Sequence, residues 1–248
     1  MLGALIFDVD GTLADTESVH RVAFNQAFAA AGRDWVWDDA TYTKLLEVSG
    51  GKERILHYWR QVQPDLIVLD SAAMRDTVER IHALKTCAYE RMVQDGAVSL
   101  RPGVLRLIES AHSQGLRLAI ATTTSPANIA VLLGRAIGPD WRHYFQLIED
   151  ASTAPHKKPH PQAYVQTLAR MRIGAAQCLA FEDSANGLQA ATAAGLATIV
   201  TPTRFTAHQD FSAALRCVPG LAGISVAHLR DWHQGPRSSF TRNAVHAV

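Results

Sequence analysis

The sequence predicts an α/β fold: a Rossmann-like core with a parallel sheet, and an all-helical cap domain inserted after the first strand. Short apolar runs recur along the chain, and amphipathic segments with Gly or Pro at their edges lie between them. Strands that alternate with helices in this way form parallel sheets with helices on both faces. Between residues 16 and 94 the apolar runs stop and helical periodicity alone remains. That stretch indicates a separate helical domain.

Five apolar runs have the composition of buried parallel strands. The first covers residues 4–8 and ends in an acid. The others cover residues 116–121, 146–148, 178–181 and 197–200. Because the carboxyl ends of parallel strands meet at one edge of a sheet, the residues that follow these runs are expected to face one crevice.

Caps and apolar periodicity predict three helices of the core. The first starts near Pro102 and ends before Gly115, the second opens at Ser125, and the third runs from Ser184 to Gly195. Proline suits a first helical turn because its missing N–H is not needed there. Serine can cap a helix through its hydroxyl, and glycine accepts the left-handed backbone that follows a helix end.

Two helical patterns stand out in the inserted domain, at residues 20–31 and 72–92. An insertion between a strand and its following loop places a cap over the carboxyl edge of the sheet, where open α/β sheets bind ligands. The expected division is a core of residues 1–15 and 95–233, a helical cap of residues 16–94, and a frayed tail at residues 234–248.

Composition excludes several classes of function. The 24 Lys and Arg against 23 Asp and Glu leave a net charge of +1, so neither nucleic acid nor a membrane surface is an expected partner. We expect a monomer whose partner is a small molecule. The three cysteines, Cys87, Cys178 and Cys217, have no disulfide or zinc-type spacing. No signal peptide and no membrane-spanning run is found, which predicts a cytoplasmic protein.

The strongest chemical signal follows the first strand, where Asp8 and Asp10 flank one residue and precede Gly11 and Thr12. Two carboxylates two residues apart on a strand end point the same way and repel each other unless a cation or proton separates them. Gly11 allows a tight turn. An Asx-type turn at a strand end is the ordinary structural alternative.

Three further groups follow later strands or the loops between them. Thr122 closes the second strand, Lys158 stands before Pro159, and Glu182 and Asp183 follow the fourth strand. Taken singly, they are compatible with a turn residue, a solvated loop charge and acids that cap a helix. Taken together, they bring hydroxyl, cationic and acidic groups to one crevice.

The order Asp8 and Asp10, then Thr122, then Lys158, then the acidic pair at residues 182–183 resembles the four motifs of the haloacid dehalogenase superfamily. The resemblance covers about residues 5–200. It implies phosphoryl transfer with Mg²⁺ as the cofactor. Dehalogenase relatives lack the second aspartate, so Asp10 favours a phosphatase or another phosphotransfer enzyme.

The resemblance also implies a role for each group. Asp8 is the nucleophile, Asp10 the general acid and base, and Lys158 neutralises charge on the transferred phosphoryl group. Thr122, with Thr123 as a further donor, binds a phosphoryl oxygen. The implied Mg²⁺ ligands are the Asp8 carboxylate, the Asp10 carbonyl and Asp183, and Glu182 supports the metal from behind.

A second stretch, in the predicted cap, points to the substrate. Gly51 lets the backbone approach a ligand, and Lys52 and Arg54 lie at the start of a helix, where anions are attracted. An ordinary surface turn is the alternative. Further candidates on the cap side are Glu17, His20 and Lys85, and His20 is near enough to the hinge to reach a leaving group. Two cap cations suit a substrate that carries a second phosphate or several hydroxyls.

Several runs look like the CbbY-type proteins of the superfamily. They are residues 15–17, 20–25, 34–37, 50–54, 121–129 and 181–188. That family implies a phosphatase that removes the 1-phosphate of xylulose-1,5-bisphosphate, an inhibitor of Rubisco, and thus a place beside the Calvin cycle.

Three other functions stay open on the sequence. A β-phosphoglucomutase-type isomerase uses the same pair of aspartates but keeps water from the phosphoenzyme. A phosphoglycolate phosphatase has a substrate too small to need several cap cations. A binding protein without catalysis could be built on the same fold, although every catalytic position is filled here.

Overall fold

The computed structural model describes residues 1–64 and 72–235. Within these residues, a parallel sheet has the order β3-β2-β1-β4-β5-β6. The strands are β1 (Ala4–Phe7), β2 (Arg117–Ala121), β3 (Leu147–Glu149), β4 (Cys178–Glu182), β5 (Ala197–Val200) and β6 (Arg216–Cys217). The strands β2 and β3 lie on one side of β1, and β4, β5 and β6 lie on the other. Ligands bind where the strand order reverses in this way, so they are expected at the carboxyl ends of β1 and its neighbours.

Helices cover both faces of the sheet, as predicted. They are α5 (Val104–Ser113), α6 (Pro126–Ala136), α7 (Gln162–Met171), α8 (Ala185–Ala193) and α9 (Val226–Gln234). Successive strand residues point to opposite faces. Accordingly, Leu5 and Phe7 join the cluster that includes α5, α6 and α9, while Ala4 and Ile6 join the cluster that includes α7 and α8.

In the part of the chain that the structure describes, four helices lie between β1 and α5, and we call them the helical insert. They are α1 (Glu17–Ala30), α2 (Asp39–Leu45), α3 (Gly51–Val62) and α4 (Ala72–Gln94). The insert has its own core, an aromatic cluster in which Phe24, Phe28 and Trp37 are almost fully buried. Ala14 forms bridges with Asp10 and with Leu100, which ties the two ends of the insert together at the edge of the sheet.

Element boundaries differ from the prediction by a few residues. The first insert helix begins at Glu17 rather than at residue 20, because its first turn, with Glu17 and Ser18, precedes the buried face that the periodicity marks. The pattern at residues 72–92 is part of α4. The elements α2, α9 and β6 were not predicted, since they are short and their packing partners are distant in sequence. Most of the predicted frayed tail, residues 236–248, lies outside the described residues.

Candidate active site

The strand ends bring the four predicted motifs to one edge of the sheet. Asp8 follows β1, Thr122 follows β2, and Asp183 follows β4. Since β1 lies between β2 and β4, the three positions are adjacent. Lys158 reaches the same place from the loop between β3 and α7. Both Asp8 and Lys158 are buried.

A cavity of about 700 Å³ separates this edge from the helical insert. Its walls on the side of the sheet include the predicted catalytic and metal-binding residues. These are Asp8, Asp10, Thr122, Thr123, Lys158, Glu182 and Asp183. The opposite wall carries every predicted substrate-binding residue of the insert. These are Glu17, His20, Gly51, Lys52, Arg54 and Lys85. The structure therefore brings all the candidate residues around one cavity.

Lys158 joins two buried carboxylates. Its Nζ lies 2.7 Å from Asp8 Oδ1 and 2.6 Å from Glu182 Oε1. Tyr164 also donates a hydrogen bond to Glu182 Oε1. Burial alone would lower the pKa of Lys158, but the charges of Asp8 and Glu182 outweigh it and raise that pKa. The ammonium is therefore a fixed positive charge beside the expected nucleophile.

The acidic groups around Lys158 outnumber the cationic ones. Asp8, Glu182 and Asp183 each offer a carboxylate oxygen, and these oxygens lie within 4.8 Å of one another. Burial raises the pKa of Asp8 to about 7, although Lys158 opposes it. Burial and then the charge of Asp8 raise the pKa of Asp183 well above its usual range. Removing carboxylates from water without enough countercharge is unfavourable, so the centre lacks positive charge.

The donor set fits a hard divalent cation such as Mg²⁺. Carboxylate oxygens are the ligands that Mg²⁺ prefers. Besides the three clustered carboxylates, Glu182 Oε2 is buried and has no hydrogen-bond partner in the described residues. The turn after Asp8 also lies close to Asp183, because a Cβ at Gly11, whose φ is +78°, would collide with the Asp183 carboxylate. Glycine at this position allows the two acidic segments to approach.

Asp10 is held as a carboxylate by three side chains. Thr16 Oγ1 donates to Asp10 Oδ1 at 2.6 Å, His20 Nε2 lies 3.1 Å from the same oxygen, and Thr124 Oγ1 donates to the other oxygen. Burial would raise the pKa of Asp10, but the His20 charge and these hydrogen bonds hold it well below its usual range. Asp10 therefore keeps a defined orientation toward the cavity.

His20 stacks on Tyr89 with ring centroids 4.1 Å apart. It is buried, and burial followed by the charge of Lys85 lowers its pKa. Its Nδ1 is buried and has no hydrogen-bond partner in the described residues. With Nε2 on Asp10 and its ring on Tyr89 of α4, His20 links the turn after β1 to the helical insert.

The predicted insert cations differ in whether protein groups already pair with them. Lys52 Nζ lies 2.6 Å from a Glu79 carboxylate oxygen at the rim of the cavity. Arg54 donates to the carbonyl oxygens of Leu45 at 3.0 Å and Val48 at 3.2 Å. Much of the donor capacity of Arg54 thus holds the segment that precedes α3 in place.

Of the three predicted insert cations, Lys85 is the one with no such partner in the described residues. In residues 1–64 and 72–235 no hydrogen bond or ion pair of Lys85 is found, and its Nζ lies 5.1 Å from the ring centroids of both Phe24 and Tyr89. The side chain is 5% exposed. Burial lowers the pKa of Lys85 to about 8. A buried ammonium that faces the cavity is suited to bind an anion.

Sequence reasoning missed several residues of the site. Thr124, Tyr42, Lys157, Tyr164 and His82 contact the candidate residues or line the cavity. Thr124 lies within the run that resembles CbbY-type proteins, and its hydroxyl two residues after Thr122 is a usable signal. The others come from elements whose positions in the site depend on tertiary packing, so no local pattern identifies them.

Hydropathy does not indicate a membrane span: among the described residues, no helix is both long enough and apolar enough to cross a bilayer.

Comparisons with known proteins agree with this geometry. A family model for haloacid dehalogenase-like hydrolases matches residues 2–195. The plasmid-encoded CbbY protein of Cupriavidus necator is 49% identical, over 94% of this chain and 97% of its own length.

Solved structures are similar as well. The crystal structure of CbbY from Rhodobacter sphaeroides in complex with phosphate is 40% identical, with a TM-score of 0.84, and covers 93% of this chain and 100% of its own. A second crystal structure of that protein holds xylulose-1,5-bisphosphate, with 40% identity and a TM-score of 0.84. It covers 92% of this chain and 99% of its own.

Proposed function

The chain belongs to the haloacid dehalogenase-like hydrolase family, and within it to the CbbY-type phosphatases; on that premise we propose that it removes the 1-phosphate of xylulose-1,5-bisphosphate with Mg²⁺ as its cofactor. As a phosphatase, it is a phosphoric monoester hydrolase. The observation that carries the proposal is the cavity between sheet and insert, where a buried Asp8 with its Lys158 partner faces the buried cation Lys85.

In the proposed first step, Asp8 attacks phosphorus. A bond forms between an Asp8 carboxylate oxygen and phosphorus, and the bond from phosphorus to the sugar oxygen breaks. Lys158 neutralises charge on the phosphoryl oxygens, and the Thr122 hydroxyl donates to one of them. Asp10 gives its proton to the leaving sugar oxygen. A phosphate dianion beside Asp10 raises the pKa of that acid and so favours the protonated form.

In the second step, water hydrolyses the aspartyl phosphate. Asp10 takes a proton from the water, the new oxygen bonds to phosphorus, and the bond to Asp8 breaks, so that inorganic phosphate leaves. The hydrogen bonds from Thr16 and Thr124 keep Asp10 oriented for both transfers. His20, on the insert side of Asp10, contacts the leaving-group end of the sugar in this proposal.

We assign the metal to the Asp8 carboxylate, the Asp10 backbone carbonyl and Asp183, with Glu182 behind them. When bound there, Mg²⁺ supplies positive charge that screens the carboxylates from the phosphate and polarises its oxygens. The clustered carboxylates and the excess of buried negative charge support this assignment.

The insert supplies the recognition of the rest of the substrate. We propose that residues 16–94 act as a cap on a core of residues 1–15 and 95–233, and that the cap binds the sugar and its second phosphate. Lys85, a buried cation without a partner in the described residues, is the main phosphate contact, and Lys52 and Arg54 add charge to the cavity wall. Glu17 accepts hydrogen bonds from sugar hydroxyls, and Gly51 lets the ligand approach the backbone. Thr123, beside Thr122, is a further donor to the transferred phosphate.

The test is release of inorganic phosphate in Mg²⁺ and then in excess chelator. The substrates are xylulose-1,5-bisphosphate, ribulose-1,5-bisphosphate, phosphoglycolate and β-glucose 1-phosphate. We expect preference for the first, and loss of activity on chelation. Consumption of β-glucose 1-phosphate without phosphate release would identify a mutase, and preference for phosphoglycolate would replace the proposed substrate.

Asp8→Asn tests the nucleophile. The amide cannot form the acyl phosphate, so we expect turnover to fall by at least about 10³-fold. Asp95→Asn, at an exposed position, is the matched control and should keep wild-type turnover. Wild-type phosphate release by Asp8→Asn would rule out the covalent mechanism.

A further inference from the structure

A loop of the core reaches into the helical insert on the far side of the cavity. This loop, residues 201–207, follows β5 directly. Arg204 donates hydrogen bonds to Asp39 Oδ2 and to Ser18 Oγ, both at 3.0 Å. Asp39 begins α2 and Ser18 lies in the first turn of α1. The loop therefore holds two insert helices at once.

Phe205, the next residue, is buried among insert side chains. Its side chain is 2% exposed, and it belongs to the aromatic cluster of the insert. All other described members of that cluster come from residues 24–84. The Phe205 ring stands edge-on to Tyr42, with centroids 5.8 Å apart. A core side chain thus completes the hydrophobic core of the insert.

Tyr42 connects this contact to the cavity. The Tyr42 hydroxyl donates to Glu17 Oε2 at 2.6 Å and lies 3.3 Å from Arg54 Nη1. Glu17 and Arg54 both line the cavity. Phe205 packs on the ring whose hydroxyl orients these two polar side chains, so a shift of the ring would move them.

The base of the loop is fixed to the catalytic edge of the sheet. Thr201 N–H donates to the Glu182 carbonyl at 2.7 Å. Arg101 donates to the carbonyl oxygens of Thr201 at 2.6 Å and Pro202 at 3.1 Å, and it also donates to the Gly11 carbonyl. The loop is therefore tied to the strand that carries Glu182 and to the turn after Asp10.

We propose that Phe205 is a positioning residue for substrate selection: by seating Tyr42 from the core, it sets where Glu17 and Arg54 stand relative to the catalytic aspartates. The inference deepens the proposed function and rests on it. A substrate that contacts both walls of the cavity depends on the position of Glu17 and Arg54 relative to the aspartates. A small phosphate ester that binds only at the aspartates does not.

The test compares Phe205→Ala with Phe211→Ala. Phe211 is also a buried phenylalanine after β5, but it packs on Leu188, Val200 and Ala214 of the core, so it controls for the loss of a buried ring. Steady-state kinetics are measured with xylulose-1,5-bisphosphate and with p-nitrophenyl phosphate. For Phe205→Ala we expect KM for the bisphosphate to rise about 10-fold or more, with kcat/KM for the small ester reduced less than 3-fold. For Phe211→Ala we expect no change in KM that is specific to the bisphosphate, so the preference for the bisphosphate over p-nitrophenyl phosphate should stay as in the wild type.

Phe205→Leu, which keeps most of the buried volume, should recover most of the bisphosphate affinity and serves if the alanine variant does not fold. Acrylamide quenching of tryptophan fluorescence gives a second readout, because Trp35, Trp37 and Trp59 lie in the same cluster. Quenching should increase in Phe205→Ala and not in Phe211→Ala.

The inference is overturned if Phe205→Ala lowers kcat/KM equally for both substrates, or if its quenching matches that of the wild type. A wild-type enzyme that does not hydrolyse the bisphosphate would instead overturn the proposed function. In that case quenching alone still decides whether Phe205 holds the aromatic cluster.

Discussion

At the scale of single residues, the charges of the cavity decide what it can bind. The sheet side has several buried acids with Lys158 between two of them, and the insert side has Lys85 without a described partner. A phosphate at the acidic centre needs added positive charge, whereas the Lys85 ammonium already supplies positive charge to a phosphate that binds near it.

Lys85→Met should lower kcat/KM for xylulose-1,5-bisphosphate about 10- to 100-fold, chiefly through KM. A hydrogen bond to a charged group contributes about 1.5–3 kcal/mol, and the apolar replacement keeps the burial. Lys44→Met, at an exposed position in α2, is the control. Equal kinetics for the two variants would remove Lys85 from the binding site.

The same lysine predicts a pH dependence. Because burial lowers the pKa of Lys85 to about 8, its ammonium is lost as the pH rises through that value, and anion binding weakens. KM of the wild type should rise above about pH 8, whereas KM of Lys85→Met should change little there. Parallel profiles for both enzymes, measured between pH 7 and 9, would contradict this assignment.

At the scale of elements, the start of α3 is built for close contact. Gly51 begins the helix, and a Cβ on it would stand 2.7 Å from His82 Nε2 and 2.8 Å from His82 Cδ2 in α4. At these distances, either the His82 ring or the first turn of α3, which carries Lys52 and Arg54, has to shift.

Gly51→Ala should therefore raise KM for the bisphosphate about 10-fold and lower the free energy of unfolding by about 1–3 kcal/mol, the usual cost of overpacking. Kinetics and urea unfolding measure the two effects. Gly220→Ala is the matched control, since a Cβ there meets no atom within 4 Å. If Gly51→Ala behaves like the control, the ligand does not depend on the first turn of α3.

Elements also show how far sequence reasoning extends. The strand β1 was predicted almost to the residue because a buried parallel strand is continuously apolar and ends at the acid Asp8. The start of α1 was predicted three residues late, because apolar periodicity marks the buried face of a helix, which begins here at His20, and not its less buried first turn. Short elements such as β6 depend on a neighbouring strand for their hydrogen bonds and have no local signature.

At the scale of the whole molecule, a half-buried histidine of the insert, His82, links pH to stability. Burial, then the charges of Lys85, Lys52 and Lys157, lower the pKa of His82 to about 4, and Glu79 opposes them weakly. The unfolded chain has the ordinary value of 6.5. Between these values the unfolded state binds more protons, so the contribution of His82 to stability is lost as the pH falls from about 6.5 to 4.

For His82→Gln, we expect the free energy of unfolding to fall less between pH 7 and pH 4.5, by about 2–3 kcal/mol relative to the wild type. His208→Gln, at an exposed position, should follow the wild type. Urea unfolding at both pH values measures the difference. Identical losses for His82→Gln and wild type would show that His82 is not held neutral by its surroundings.

The sequence by itself determined the fold class, the order of the motifs and the chemistry that they allow. Apolar runs that end in Asp8, Thr122 and the acidic pair at residues 182–183 are local patterns, and parallel pairing is enough to bring such ends to one edge. The resemblance to CbbY-type proteins rests on equally local runs, and the comparisons confirmed it.

Tertiary structure alone decided which charges are free and which residues hold them. Lys52 and Arg54 look equivalent to Lys85 in the sequence, yet Glu79 and backbone carbonyls occupy the first two and not the third. Phe205 joins the insert although it lies more than 100 residues after it. Such pairings depend on contacts between segments that are distant along the chain, and their energies are set by burial, which no local pattern encodes.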